Sequence, residues 1–195
     1  MLAVAILAAG ESRRMGQPKA LVELQGATFV ERLIAATRHP RIGLTQIVLG
    51  AGAEDIRAKL AAASASIIVN PDWPKGQLSS IHAAIRSLPP GATEGLLVCP
   101  VDHPMVSADL IAQLIRAFDD SGRLIVLPKF HGRRGHPVIF RAALYEELLE
   151  APVDVGARQV VWDHAGDVAE VETEDEGVIL NLNNPQAVRK VRRLE

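Results

Sequence analysis

A loop near the amino terminus carries the residue types that bind phosphate groups. The segment 7–19 reads LAAGESRRMGQPK, the apolar end of a strand followed by a loop with two glycines and three cationic side chains. Small residues let a backbone approach a ligand closely. Arg13, Arg14 and Lys19 add three fixed positive charges beside loop N–H groups, which is what a polyphosphate requires. The segment therefore predicts a binding site for a nucleoside triphosphate.

The glycine spacing separates this loop from the two commonest phosphate-binding motifs. Gly10 and Gly16 are one residue further apart than a Walker A motif allows, and the chain contains no G-x-G-x-x-G motif. A glycine-rich turn with solvated arginines is the alternative interpretation. The loop nevertheless follows the first apolar strand directly, which is where open α/β sheets bind ligands. We therefore expect a nucleotide site of another class.

A carboxylate later in the chain is the leading candidate for a metal ligand. Asp102 follows the apolar run Leu96 to Val98 in the sequence CPVDHP. At the carboxyl end of a parallel strand it would face the ligand crevice, and Mg²⁺ bound to nucleotide phosphates uses one or two such carboxylates. An aspartate that caps a turn before Pro104 is the competing interpretation.

The segment NPDWPKGQLSS places small polar groups at the start of a predicted helix. Asn70 ends a strand, and Gly76, Ser79 and Ser80 follow at the first helical turn, where free N–H groups suit a nucleobase, ribose or phosphate. Trp73 either stacks on the ligand or packs against the protein. The two serines are alternatively helix caps with no ligand contact.

A third segment, GRRGHPVIF, predicts an exposed basic loop. Arg134 and His136 would supply the counter-charge for an acceptor substrate that ends in a phosphate. Such a phosphate is already ionised near neutral pH, so His136 is expected to position it rather than remove a proton. The sequence indicates no clear role for His103.

The opening segment resembles the signature L-A-[AG]-G-x-S-x-R-M-G-x-x-K of the MobA-like nucleotidyltransferase family. The strings LAAG, RGHP and DVGAR make it most similar to the molybdenum cofactor cytidylyltransferase branch. This resemblance implies transfer of CMP from CTP to molybdopterin with release of pyrophosphate, and a molybdoenzyme or its maturation factor that receives the product. It also implies Mg²⁺ as the metal, with Mn²⁺ as the alternative.

The resemblance further implies roles for individual residues. Arg14 and Lys19 neutralise the triphosphate, and Asp102 holds the metal. The late NLNNP segment would add Asn183, or Asn181, as a neutral second metal ligand where the family has aspartate. The remaining nucleotide contacts are assigned to Leu7, Ala8, Ala9, Gly10, Ser12, Arg13, Asn70, Gly76, Ser79 and Ser80.

Two other functions stay open at this point. The same fold serves enzymes that act on sugar phosphates or similar small phosphates. The asparagines in place of carboxylates would also suit a protein that binds and delivers a nucleotide or cofactor without turnover.

Composition restricts the possible partners. The chain has 195 residues, of which 48% are hydrophobic and 23% charged, with a net charge of -2 and a pI of about 6.3. There is no general basic field for nucleic acid, and the basic cluster Arg189 to Arg193 is expected to end a helix. No apolar run reaches the ~20 residues of a membrane helix, so we expect a cytoplasmic protein. The single cysteine, Cys99, is expected to be a buried apolar residue.

The elements that must position these residues follow from alternating patterns. Short apolar runs alternate with helical segments, which predicts a single-domain, three-layer α/β/α, Rossmann-like fold over 1–195 with a mostly parallel sheet. Thr28 and Glu31 form a T-x-x-E capping box ahead of the first helix. Strands are expected at Leu2 to Ala9, Gln46 to Leu49, Ser66 to Val69, Gly95 to Cys99, Leu124 to Leu127, Pro137 to Phe140 and near Val168 to Val171. Helices are expected from about Thr28, Ala53 and Ser79, over Ser107 to Phe118, Arg141 to Leu149 and Gly156 to Trp162, and after Pro185.

Overall fold

The computed structural model describes residues 1–60 and 65–192. The predicted domain over 1–195 and the predicted basic cluster, which ends at Arg193, therefore lie partly outside the described residues. Ten strands occur in the described residues, eight of them in one sheet and two in a separate hairpin. They are β1 (Leu2–Ala8), β2 (Glu23–Leu24), β3 (Ala27–Thr28), β4 (Ile42–Leu49), β5 (Ser66–Val69), β6 (Gly95–Pro100), β7 (Ile125–Phe130), β8 (Arg133–Arg134), β9 (Val138–Arg141) and β10 (Val168–Glu172).

The main sheet is centred on β1 and is mostly parallel. Its order is β10-β7-β9-β6-β1-β4-β5, and β8 pairs with β7. β1 runs parallel to β4 and β6, with Leu7 level with Val48 on one side and Pro100 on the other. β9 is the exception in the middle of the sheet, antiparallel to β6 and β7. The carboxyl ends of β4, β1 and β6 therefore reach the same edge of the sheet.

Helices cover both faces of this sheet. They are α1 (Phe29–Ala36), α2 (Ala53–Lys59), α3 (Gln77–Ser87), α4 (Ala108–Ser121), α5 (Tyr145–Glu150), α6 (Arg158–Asp163) and α7 (Pro185–Arg192). Successive side chains of a strand point to opposite faces. Val4 and Ile6 accordingly join the core under α1, α4 and α7, while Ala5 and Leu7 join the core under α3, α5 and α6. The predicted three-layer α/β/α fold is confirmed.

Local signals located several helix starts correctly. The Glu31 amide donates to Thr28 Oγ1 at 3.3 Å, and the Thr28 amide donates to Glu31 Oε2 at 2.7 Å. This is the predicted capping box, and its hydrogen bonds hold the pKa of Glu31 below its usual value. In α3, however, the helix begins two residues before the predicted Ser79, because Gly76 forms the turn that precedes it.

One predicted helix is wrong at its first residue. Arg141 belongs to β9, where its amide donates to the Leu124 carbonyl at 2.8 Å; a 3-10 helix over Ala142–Leu144 follows, and α5 continues it from Tyr145. The Arg141 guanidinium lies 4.0 Å from the centre of the Phe118 ring, which fixes it over α4. Pairing with a neighbouring strand thus overrides the helical pattern that begins at this residue.

The burial of Cys99 and the lengths of the helices can be compared with what the composition predicts. Cys99 is buried in β6, and burial raises the pKa of its thiol far above the usual range, as expected for an apolar role. Within the described parts of the chain, no helix combines the length and apolar character needed to cross a bilayer.

Candidate active site

The predicted nucleotide segment lines a cleft at the carboxyl edge of the sheet. The cleft has a volume of about 200 Å³ and lies between the loop after β1, the end of β6 and the start of α3. Parallel strands direct their carboxyl ends to this edge, which explains why distant segments meet here. Its walls are formed by Leu7, Ala8, Ala9, Gly10, Ser12, Lys19, Trp73, Gly76, Gln77, Ser80, Pro100, Val101 and Asp102.

Ser12 organises the loop that follows β1. It lies in the left-handed region with φ 58°, and its carbonyl accepts from the Met15 amide at 2.9 Å. Its hydroxyl donates to the Gly10 carbonyl and accepts the Lys19 amide at 3.1 Å. The side chain of Ser12 therefore ties both ends of the loop together and fixes the backbone from which Lys19 extends.

The two arginines of the loop do not form the cleft wall. Arg13 is exposed, and its Nε donates to Glu11 Oε2 at 2.7 Å. Arg14 is also exposed and is not among the lining residues of the cleft. Of the three predicted cations of this loop, Lys19 is the one that lines the cleft.

Lys19 meets the two predicted metal ligands. Its Nζ lies 3.3 Å from Asp102 Oδ2 and donates a hydrogen bond to Asn183 Oδ1. The NLN segment reaches this point because the Leu182 amide donates to the Asp102 carbonyl at 2.8 Å. Asn181 Nδ2 donates to Asp102 Oδ2 at 3.1 Å, so two predicted site residues, Lys19 and Asn181, contact this carboxylate.

This cluster has the donor chemistry of a Mg²⁺ site on a nucleotide. A carboxylate and an amide oxygen converge around a positive charge, and hard divalent cations prefer such oxygen ligands. Among the described residues, no three His, Cys, Asp or Glu side chains come together as a metal-binding group. A cation here would therefore depend on substrate phosphates for part of its coordination, as Mg²⁺ commonly does.

A buried histidine, His103, and a half-buried one, His136, lie behind Asp102. His103 is buried; its Nδ1 lies 3.4 Å from the Gly177 carbonyl, and its Nε2 lies 3.5 Å from Asn181 Nδ2. The ring of His136 lies 5.0 Å from that of His103. Burial, together with the neighbouring His103, lowers the pKa of His136 to about 4, and burial also lowers the pKa of His103. Both rings are therefore neutral near pH 7, and His103 supports the amide of Asn181.

Asn70 positions the start of α3. It is 2% exposed, and its Nδ2 donates to the hydroxyls of Ser79 at 2.9 Å and Ser80 at 3.1 Å. The Ser79 hydroxyl in turn donates to the Gly76 carbonyl at 2.7 Å. Ser80 lines the cleft, whereas Asn70 and Ser79 lie behind it. The structure thus assigns Asn70 and Ser79 a supporting position.

Trp73 packs against a glycine that the sequence did not single out. A Cβ atom on Gly50 would lie 2.6 Å from the Ala9 carbonyl oxygen and 2.6 Å from both Cβ and Cγ of Trp73. Ala9 and Trp73 both line the cleft, and the Ala51 amide donates to the same Ala9 carbonyl at 3.0 Å. Only a residue without a side chain lets these two walls approach each other. The signal in the sequence is one glycine directly after β4, and glycine in loops is common.

A second cavity adjoins the first at the start of α3. Its volume is about 490 Å³, and it shares Gly76 and Gln77 with the nucleotide cleft. Most of its wall is apolar, whereas His136, Asp154 and Arg158 contribute polar groups. The apolar residues are Leu78, Ile81, Val98, Val138, Phe140, Val153, Val155, Ala157 and Val161.

Of the two residues predicted for the acceptor side, one lines this second cavity. His136 does so, and its Nδ1 is buried without a hydrogen-bond partner in the described structure. Arg134 lies in β8, where its Nε donates to Glu170 Oε1 at 2.7 Å. Arg158, at the start of α6, is the arginine that reaches the cavity wall; it belongs to the DVGAR string that carries the resemblance, although no individual role was predicted for it.

Known proteins resemble this chain over most of its length. A family model described as the MobA-like NTP transferase domain matches residues 4–168. The molybdenum cofactor cytidylyltransferase of Escherichia coli (strain K12) is 28% identical over 183 residues, which are 92% of this chain and 90% of that protein. The bifunctional protein GlmU of Synechococcus sp. (strain RCC307) is 38% identical over 131 residues, 65% of this chain but 28% of that protein.

A solved structure shares the fold. The crystal structure of Rv0371c from Mycobacterium tuberculosis H37Rv superimposes with a TM-score of 0.85 and covers 97% of this chain and 96% of that chain. The two sequences are 24% identical, so this likeness concerns the architecture alone. The observed sheet and helix arrangement is therefore an established one for a chain of this length.

Proposed function

The chain belongs to the MobA-like NTP transferase family, a family of nucleotidyltransferases, and we propose that it transfers CMP from CTP to a phosphate group of molybdopterin, with release of pyrophosphate. The observation that carries this proposal is the meeting of two cavities at Gly76 and Gln77. One cavity contains a cation and a carboxylate suited to a triphosphate, and the other has apolar walls suited to the body of an acceptor.

The nucleotide cleft supplies the donor side of the proposed reaction. The backbone from Leu7 to Gly10 approaches the ligand without bulky side chains, and Lys19 contributes a positive charge to the triphosphate. The free N–H groups at the start of α3, an eleven-residue helix, add a favourable electrostatic environment for phosphate. Arg13 and Arg14 would reach the phosphates only by turning inward from their exposed positions.

The choice of CTP rests on similarity. The LAAG string at Leu7 to Gly10 resembles the cytidylyltransferase branch, and the Escherichia coli relative that carries this name aligns with 92% of the chain. In the proposed complex, Asp102 and Asn183 would hold Mg²⁺, with Mn²⁺ as the alternative, and the ion would neutralise charge on the phosphates.

The acceptor side is the second cavity. Its apolar wall favours an acceptor with a flat or apolar body over a sugar, whose hydroxyl groups would lose their hydrogen bonds to water there. Arg158 supplies a positive charge at the rim, and His136 is a neutral group that positions the acceptor. The apolar wall and the positive charge at the rim both fit molybdopterin, an organic ring system that carries a phosphate.

The reaction needs positioning and charge neutralisation rather than a protein nucleophile. An oxygen of the acceptor phosphate forms a bond to the α-phosphorus of CTP, while the bond from that phosphorus to the bridging oxygen breaks and pyrophosphate leaves with the electron pair. The acceptor oxygen is already ionised near pH 7, so no proton has to be removed. Lys19 stabilises the charge, and the cavity walls hold the two phosphates in line.

The test is pyrophosphate release from CTP, GTP, ATP and UTP with purified molybdopterin and Mg²⁺. We expect release with CTP, and mass analysis of the product should give the acceptor plus CMP. Pyrophosphate release only when a sugar phosphate is supplied would show that the acceptor is a sugar phosphate and not molybdopterin. Tight nucleotide binding without release for any pair would instead identify a binding and delivery protein.

The same proposal includes the location of the protein and the recipient of its product. We expect residues 1–195 to act as one domain in the cytoplasm and to pass the product to a molybdoenzyme or its maturation factor. Co-purification with such a partner, dependent on molybdopterin, is the measurement that tests this step.

A further inference from the structure

The Lys19 ammonium and the proposed metal use the same two side chains. Lys19 Nζ contacts Asp102 Oδ2 and Asn183 Oδ1, which belong to the two residues that the proposed function assigns to the divalent cation. Both Lys19 and Asp102 side chains are only 18% exposed, so this contact lies inside the cleft wall. Asn181 Nδ2 also donates to Asp102 Oδ2, which leaves that oxygen surrounded by donors.

An ammonium and a divalent cation cannot occupy this position together. Each would need the lone pairs of the same oxygens, and the two positive charges would repel strongly at such short range in a partly buried site. The carboxylate contributes one negative charge, which Lys19 alone already balances. Binding of the cation therefore requires that the ammonium leave.

The loop allows the side chain to move without the backbone. The Lys19 amide is held by Ser12 Oγ at 3.1 Å, and among the described residues the side chain makes its hydrogen bonds through the ammonium, to Asp102 and Asn183. A triphosphate in the cleft presents several negative oxygens to this ammonium and offers stronger charge pairing than one carboxylate. Rotation about the side-chain bonds would move the Lys19 ammonium from Asp102 to the triphosphate.

We propose that Lys19 acts as a placeholder for the metal: its ammonium closes the cation position until a triphosphate draws it away. Lys19 thereby makes entry of the divalent cation depend on the nucleotide. The inference rests on the proposed function for the identity of the site, and it adds an order of binding. The free protein should bind divalent cations weakly because of one named side chain.

The decisive measurement is Mn²⁺ binding to nucleotide-free protein, followed by the electron paramagnetic resonance of free Mn²⁺. We expect Lys19→Met to bind one Mn²⁺ about tenfold more tightly than wild type, equivalent to about 1.4 kcal/mol. The matched control is Lys75→Met, which removes the same charge and frees Asp72, a carboxylate that Lys75 contacts at 2.8 Å. This control should bind Mn²⁺ as wild type does.

A double variant tests whether the added Mn²⁺ affinity arises at Asp102. Lys19→Met/Asp102→Asn should lose the added Mn²⁺ affinity, since it removes the carboxylate that Lys19 otherwise occupies. Equal Mn²⁺ affinity of wild type and Lys19→Met would overturn the inference, and so would an equal gain in Lys75→Met. Circular dichroism verifies that each variant is folded.

Failure of the proposed function has a different signature. If wild type binds none of the four nucleoside triphosphates in the presence of Mg²⁺, the nucleotidyl-transfer proposal fails. The Mn²⁺ comparison contains no nucleotide, and it still decides whether Lys19 occupies a cation position.

Discussion

Lys19 and Asp102 join the loop after β1 to the end of β6, with 3.3 Å between Lys19 Nζ and Asp102 Oδ2. The pair connects segments that are far apart in the chain, and it sets the proposed phosphate-binding cation beside the proposed metal ligand. Both side chains line the open cleft, where solvent screens the pair, so the contact is expected to contribute little to folding and to matter for function.

Replacement of this carboxylate should separate activity from stability. Asp102→Asn keeps the size of the side chain but removes the charge, so we expect pyrophosphate release to fall about 100-fold to 1,000-fold. The free energy of unfolding should change by no more than about 1 kcal/mol. Steady-state kinetics and urea denaturation measure the two effects. Asp120→Asn, on the exposed face of α4, is the control, and an equal loss of activity there would contradict the assignment.

The two serines at the start of α3 should respond differently. Ser80 lines the cleft and accepts one hydrogen bond from Asn70, so Ser80→Ala is expected to weaken CTP binding several-fold and to lower stability less than Ser79→Ala, which loses two hydrogen bonds. Ser79 instead links Asn70 to the Gly76 carbonyl, and Ser79→Ala should lower the free energy of unfolding by about 1 kcal/mol. Isothermal titration and thermal unfolding would distinguish them. The assignment fails if Ser79→Ala gives the larger loss of CTP affinity.

Gly50→Ala should disturb the nucleotide cleft from behind. The added Cβ would meet the Ala9 carbonyl and the inner atoms of Trp73, so one of these walls has to shift. We expect KM for CTP to rise more than kcat falls, and a loss of stability of about 1 to 3 kcal/mol. Trp73 fluorescence reports the displacement. Gly166→Ala is the matched control, because its Cβ would enter open space and its φ is not in the left-handed region.

The sequence was sufficient for the parts of the site that follow from strand ends. β1 and β6 are continuous apolar runs, so the residues after them, among them Gly10 and Asp102, had to reach the carboxyl edge of the sheet. The capping box at Thr28 is likewise a local signal. Such features depend on spacing along the chain, which a sequence displays directly.

Features that depend on side-chain direction or on distant packing could not be predicted. The charge of Arg13 does not reveal that Glu11 holds it outside the cleft. The support that His103 gives to Asn181 depends on the backbone bond from Leu182 to Asp102, which brings two distant segments together. The contact of Gly50 with Trp73 has no local signature either, because any small loop residue gives the same pattern.

The half-buried His136 predicts a stability that depends on pH. Burial first, and the neighbouring His103 second, lower its pKa to about 4, whereas the unfolded chain has a value near 6.5. Below about pH 6.5 the unfolded state binds the proton and the folded state does not, so stability falls as the pH decreases toward 4. The loss is at most about 3 kcal/mol. Urea denaturation at each pH should show a smaller slope for His136→Gln, while His131→Gln, whose ring is exposed, follows wild type.

Arg158 should determine acceptor affinity more than Arg134 does. Arg158 lines the second cavity, where its Nε donates to the Val155 carbonyl at 2.6 Å, whereas Arg134 does not line that cavity and its Nε is paired with the Glu170 carboxylate at 2.7 Å. A charge-assisted hydrogen bond to phosphate contributes about 1.5 to 3 kcal/mol, so Arg158→Ala should raise KM for molybdopterin tenfold or more without changing CTP affinity. Arg158→Lys should recover part of the loss, because the charge returns without the planar guanidinium. An equal rise for Arg134→Ala would show that the basic residue of β8 also reaches the acceptor, as the sequence predicts.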